Sequence, residues 1–260
     1  SIGGLKMKMP IVFIGHGSPM NAIEDNKFTD KWLEIFKTIP KPKGILAISA
    51  HWYTKGTRIT TVKEPKMVYD MSGFPKELYE INYDAITDEL LIERVEELLG
   101  TDNIIEDNTW GYDHGIWSIV NRVYPEQDIP LVVLSVDAYK TPKEHYEVGK
   151  KLRELREEGY LILGSGNIVH NLGLVDFQKE NGYDWAEEFD NEIKNSILSK
   201  KIDTVINFEI IKNNNLAFRT PEHFLPILYI LGANHEEDEI IVFNDKCIMG
   251  SLSMTSYIIK

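Results

Sequence analysis

Apolar residues along this chain fall into two alternating patterns. Short continuous runs at residues 10–14 (PIVFI), 44–49 (GILAIS), 131–136 (LVVLSV) and 160–163 (YLIL) predict strands buried on both faces. Between them, residues 28–38, 87–99, 114–124 and 142–158 carry apolar side chains at helical spacing. Pro142 suits a first helical turn and Gly159 a helix stop. Further on, residues 183–199 predict a helix, 221–231 a buried helix, and 240–243 and 251–259 strands. Strands alternating with helices imply an α/β fold with a largely parallel sheet flanked by helices. A closing antiparallel pair would make that sheet mixed. No low-complexity tract or repeat divides the 260 residues, so one domain is expected over residues 10–260. Residues 1–9, opening Ser1-Ile2-Gly3-Gly4 without an initiator Met, are expected to be a tag or disordered start.

Composition narrows the function classes. Net charge is −13, from 28 basic and 41 acidic residues, which opposes binding to nucleic acid or to an anionic membrane. Glu154, Glu157, Glu158, Glu187 and Glu188 are expected on solvated helix faces. The single cysteine, Cys247, excludes an intramolecular disulfide and is expected as a small buried apolar residue. No apolar run approaches the roughly 20 residues that cross a bilayer. A cytoplasmic location is expected.

The seven histidines change the picture. His16 follows the first predicted strand in GHGSPM, His51 the second in SAHWY, and His170 the fourth in GSGNIVHN. In an open α/β sheet, ligands gather beyond the carboxyl ends of parallel strands, so three imidazoles are expected in one crevice. Neutral imidazole binds iron, zinc and copper, and its pKa suits proton transfer. His114 lies where Asp113 can cap a helix carrying Trp117, in a pocket or a structural hydrogen bond. His223 begins an apolar helix beside Glu222, facing either the site or the surface. His145 and His235 are expected to be solvated. The chain has no GxGxxG, GxxxxGK[ST], CxxC, HExxH or GxSxG motif, which argues against nucleotide, zincin or acyl-transfer chemistry.

With the histidines collected, a resemblance emerges. GHGSPMNAI, ISAHWYT, YDMSGFPKELYEINY, DHGIWS, GSGNIVHNL and TPEHFLPILY occur in that order, from about residue 10 to residue 231. They resemble the class III extradiol ring-cleavage dioxygenases, in particular the DOPA 4,5-dioxygenase-like branch. The resemblance implies a single-domain α/β fold with a mononuclear non-haem metal site at strand carboxyl ends. By it, His16, His51 and His223 match metal ligands. His170 matches the acid/base histidine, a fourth ligand in some zinc-bound relatives, and His114 a substrate-contacting histidine. More distant relatives carry a Glu where this branch has His223, so Glu222 is the alternative third ligand, with His223 favoured.

The implied reaction is Fe(II)-dependent cleavage of a catechol by O2 to a ring-opened semialdehyde, with Zn(II) able to occupy the same site. Tyr53, Trp52, Phe74, Tyr79 and Trp117 are candidate aromatic walls, with core packing as the alternative for each. The rival readings are a zinc-dependent hydrolase and a non-catalytic metal-binding protein on the same fold. No motif sets the oligomeric state.

Overall fold

The computed structural model describes residues 8–260. In chain order its strands are β1 (Ile11–Gly15), β2 (Gly44–Thr54), β3 (Arg58–Ile59), β4 (Ile105–Glu106), β5 (Leu131–Asp137), β6 (Tyr160–Gly166), β7 (Ile240–Phe243), β8 (Cys247–Ile248), β9 (Leu252–Ser253) and β10 (Ser256–Ile259). The helices are α1 (Lys27–Phe36), α2 (Glu89–Leu99), α3 (His114–Val123), α4 (Pro142–Leu152), α5 (Asp184–Leu198), α6 (Ile202–Ile206), α7 (Asn214–Ala217) and α8 (Pro226–Gly232). The main sheet runs in the order β4-β3-β5-β2-β6-β1-β10-β7. Its centre, β5-β2-β6-β1, is parallel. The antiparallel β10 and β7 close one edge, as the two late apolar runs predict.

Period-2 side chains explain why the central strands read as unbroken apolar runs. Val12, Ile14, Ala47, Val133 and Leu163 pack with Trp32 of α1 and Trp117 of α3 on one face. Ile11, Phe13, Leu46, Ile48 and Leu134 pack with α2, α4, α5 and α8 on the other. Both faces are covered, giving three layers. Local caps fix the helix starts. Asn26 and Thr29 form a capping box on α1, and Thr141 and Glu144 form one on α4.

Several boundaries differ from expectation. β2 runs on to Thr54, so His51 lies within the strand rather than after it. α4 stops at Leu152, and a 3-10 turn, Arg153–Glu158, leads to Gly159 at φ 88°. The buried helix expected over residues 221–231 divides into a 3-10 turn, Pro221–His223, and α8. Pro226 has no N–H, so it starts a helix readily and continues one poorly. The two-residue strands β3 and β4 have no sequence pattern long enough to read.

His145 is a correction. Expected on an exposed face, it is fully buried, with Nδ1 2.6 Å from the Tyr229 hydroxyl where α4 meets α8. The buried positions of α4 are His145, Val148, Gly149 and Leu152, a helical stripe whose polar first member disguises it. Burial lowers the His145 pKa to about 4. Cys247 is buried, as expected. Residues 1–7 of the expected tag lie outside the described residues, but Met9 is buried and its N–H donates to the Arg156 carbonyl. No helix among the described residues is long and apolar enough to cross a membrane.

Candidate metal centre

Two strands, and a 3-10 turn docked on the strand between them, deliver the histidines. His16 follows β1, and its N–H donates to the Gly166 carbonyl at the end of β6 (3.1 Å). In β2, the register slips between Ser49 and Tyr53, and pairing with β6 ends at Ser49–Ser165. Released from the ladder on that side, His51 aims its ring over the strand ends. His223 sits on the 3-10 turn, whose carbonyl accepts from the Asn167 N–H at 2.8 Å. That turn lies so close to β6 that a Cβ on Gly166 would stand 2.1 Å from the His223 carbonyl oxygen. Only glycine permits the approach.

The ligand nitrogens of His16, His51 and His223 lie within 4.8 Å of one another, and the Nε2 atoms of His51 and His223 are 3.0 Å apart. Hydrogen bonds behind the rings decide which nitrogens are free. The Ser165 hydroxyl gives its proton to the Gly115 carbonyl (2.6 Å), so it accepts from His16 Nδ1 (2.9 Å) and leaves His16 Nε2 with a lone pair. Asp113 accepts from His51 Nδ1 at 3.2 Å, with the same consequence for His51 Nε2. His223 Nδ1 is buried without a hydrogen-bond partner among the described residues, and Glu222 Oε1 stands 3.4 Å away. Two nitrogen donors each about 2.1 Å from one divalent cation lie about 3 Å apart when cis, so the residues present fit a metal. A three-imidazole set suits zinc, iron or copper.

Electrostatics favours neutral rings at His16 and His223. Burial, then neighbouring histidines, holds both well below the usual histidine pKa. Burial pulls His51 down as well, but hydrogen bonding and charge from Asp113, with Asp70 and Glu222, more than offset it. Asp113 is the hub. Burial pushes its carboxyl up, yet His51, Ser49 (2.7 Å) and Trp110 (2.9 Å) hold it below the usual range. It also caps α3 through the Gly115 N–H, as predicted.

A second group, His51, Asp70 and His114, lies alongside. Asp70 accepts from the His114 N–H (2.9 Å) and lies 2.8 Å from His114 Nδ1. Asp70 went unnoticed in the sequence because it belongs to an irregular stretch with no periodicity to place it. His170 stacks on His223, with ring centroids 3.5 Å apart and planes 5° apart, but lies outside the nitrogen cluster. Burial first, then His51, lowers its pKa to about 4.

A cavity of about 480 Å³ opens onto His16, His114, His170 and Asp70. Its apolar walls are Phe74, Leu172, Val175, Phe177, Met249 and Leu252. Of the expected aromatic walls, only Phe74 borders it. Trp117 is core, its Nε1 donating to the Val68 carbonyl. Trp52 is buried and stacks on Trp110, Tyr79 contacts the Met71 carbonyl, and Tyr53 is 39% exposed away from this cavity.

A family model described as the catalytic LigB subunit of aromatic ring-opening dioxygenase matches residues 9–251. The chain belongs to the LigB family. It is therefore an extradiol aromatic ring-opening dioxygenase by family. It is 39% identical over 254 residues to the 4,5-DOPA dioxygenase extradiol of Escherichia coli K12, covering 96% of this chain and 94% of that protein. A Beta vulgaris protein of the same name is 35% identical over 252 residues, covering 94% of each. The crystal structure of an uncharacterized Escherichia coli K12 protein superposes with a TM-score of 0.86 at 37% identity, covering 97% of this chain and 100% of that one. This LigB protein thus shares its whole architecture with that neighbour.

Proposed function

We propose that the protein cleaves a catechol ring with O2, using Fe(II) held by His16, His51 and His223. The observation that carries this reading is the convergence of three imidazoles, His16 and His223 buried and His51 partly so, beside a cavity lined by two further histidines. Ferrous iron held by these three side chains would supply Lewis acidity toward a diol and redox chemistry toward dioxygen. His170, neutral at pH 7 and bordering the cavity, accepts a proton from a catechol hydroxyl as the diol binds. His114, with Nδ1 tied to Asp70, presents Nε2 to the substrate as donor or acceptor. Phe74, Leu172, Val175 and Phe177 offer apolar contact to a flat ring. His223 rather than Glu222 serves as third ligand, because its Nε2 joins the cluster while Glu222 lies behind the ring.

Anaerobic loading with Fe(II), followed by a catechol panel, tests the proposal. Oxygen uptake matched by a yellow ring-opened product is expected. Because three imidazoles suit zinc, a Zn(II) form is expected to bind catechols without consuming O2. Absence of uptake with every catechol overturns the reading, and turnover by the Zn(II) form alone would favour a hydrolase.

A further inference from the structure

The cavity does not end at the histidines. Phe177 and Met249, on its outer wall, also border a second groove of about 400 Å³. That groove is lined by Lys27, Lys179 and Lys246, with Glu180 the single carboxylate. In a chain of net charge −13, this is a local reversal of sign. None of the three lysines forms an ion pair or donates a side-chain hydrogen bond among the described residues, whereas Lys31, Lys150 and Lys194 elsewhere do pair. Lys246 presses on Lys27, first by direct contact and then by charge, and lowers its ammonium pKa. Lys27 and Lys179 rest over the Phe28 and Tyr183 rings, at 5.2 and 5.8 Å from the centroids, but like charges in one groove repel, and an anion seated there relieves the repulsion.

The groove is assembled from three distant segments and pinned by hydrogen bonds. The Asn244 side-chain amide donates to the Phe28 carbonyl at 3.1 Å, holding the start of α1 against the turn that carries Lys246. The Met249 N–H donates to the Lys179 carbonyl at 2.9 Å. Phe177, 78% exposed, and Met249 form an apolar bridge between the two hollows. Because these two residues line both hollows, the groove is contiguous with the cavity that the histidines border.

We propose that Lys27, Lys179 and Lys246 form an anion subsite for the substrate's side arm. The enzyme then selects catechols with a net-anionic arm over neutral, zwitterionic or cationic ones. This rests on the ring-cleavage reading above. A carboxylate arm meets three ammonium groups, while an ammonium on the same arm would have Glu180 alone to offset them. Zwitterionic DOPA is therefore a poorer substrate here than the corresponding acid without the amine.

The test compares dihydrocaffeate, its methyl ester, DOPA and dopamine. It reads kcat/KM for the Fe(II)-loaded protein and Kd by calorimetry for the Zn(II)-loaded protein. Dihydrocaffeate is expected to lead the ester and DOPA by about tenfold in both, and dopamine by more, with the lead shrinking in high salt. The triple variant Lys27→Gln, Lys179→Gln, Lys246→Gln is expected to bring the acid-to-ester ratio to about one. Equal values for acid and ester in the unaltered protein overturn the subsite, as does a ratio that survives in the folded triple variant. Absence of turnover on all four compounds counts against ring cleavage, while the binding ratios still judge the lysines.

Discussion

His170 and His223 lie ring on ring, yet their surroundings differ. His223 Nε2 meets His51 Nε2 at 3.0 Å, whereas no His170 nitrogen joins that cluster. His223→Ala is therefore expected to abolish stoichiometric metal binding. His170→Ala should keep the metal and lose about 10²–10⁴-fold in kcat, the usual contribution of one positioned acid or base. Metal content by plasma emission spectrometry, paired with O2 uptake, separates the two. Equal metal loss in both variants would contradict the division. At this scale the sequence was informative about residue type and silent about partners. His16, His51 and His223 were identifiable, but Ser165 and Asp70, which set ring orientation, were not. A serine in GSG or an aspartate in YDM has no pattern of its own.

At the scale of elements, close packing does what hydrogen bonds alone do not. α4 and α8 cross at Gly149, where a Cβ would stand 2.1 Å from the Tyr229 carbonyl oxygen. Backbone against backbone leaves nothing that can rotate away. Gly149→Ala is expected to destabilise the protein by about 1–3 kcal/mol through overpacking, despite alanine's better helix propensity. Urea unfolding measures it, and a neutral or stabilised variant would show that the helices separate freely. The same crossing buries His145 against Tyr229, which is why its polar surroundings in KEHYEVG misled. Element types were legible because strands and helices have different apolar periods. The slip in β2 was not, because it depends on where pairing with β6 stops.

Among the described residues, Asp190 is a buried acid that forms no ion pair. Asp190 accepts from the hydroxyls of Ser253 (2.7 Å) and Thr255 (2.6 Å), and burial raises its pKa from 3.8 to about 6. A folded-state value above the unfolded one means that the folded protein holds the proton more tightly. The linked stabilisation is full below about pH 3.8 and lost as pH rises through about 6, a difference of about 3 kcal/mol. Asp190→Asn cannot titrate, so its stability relative to the parent protein should improve by up to that amount between pH 4 and pH 7. Unfolding at the two pH values checks this, and a constant difference would refute it.

By itself the sequence determined the layer architecture and the candidate ligating side chains. Apolar period and residue chemistry are local properties, written within a few positions of each side chain. Only the tertiary structure decided that β6 lies between β1 and β2, that His51 turns out of its ladder, and that His223 docks over Gly166. It also decided that Lys27, Lys179 and Lys246 share one groove. Such juxtapositions come from strand order and backbone contact between segments far apart in the chain, and no local pattern encodes them.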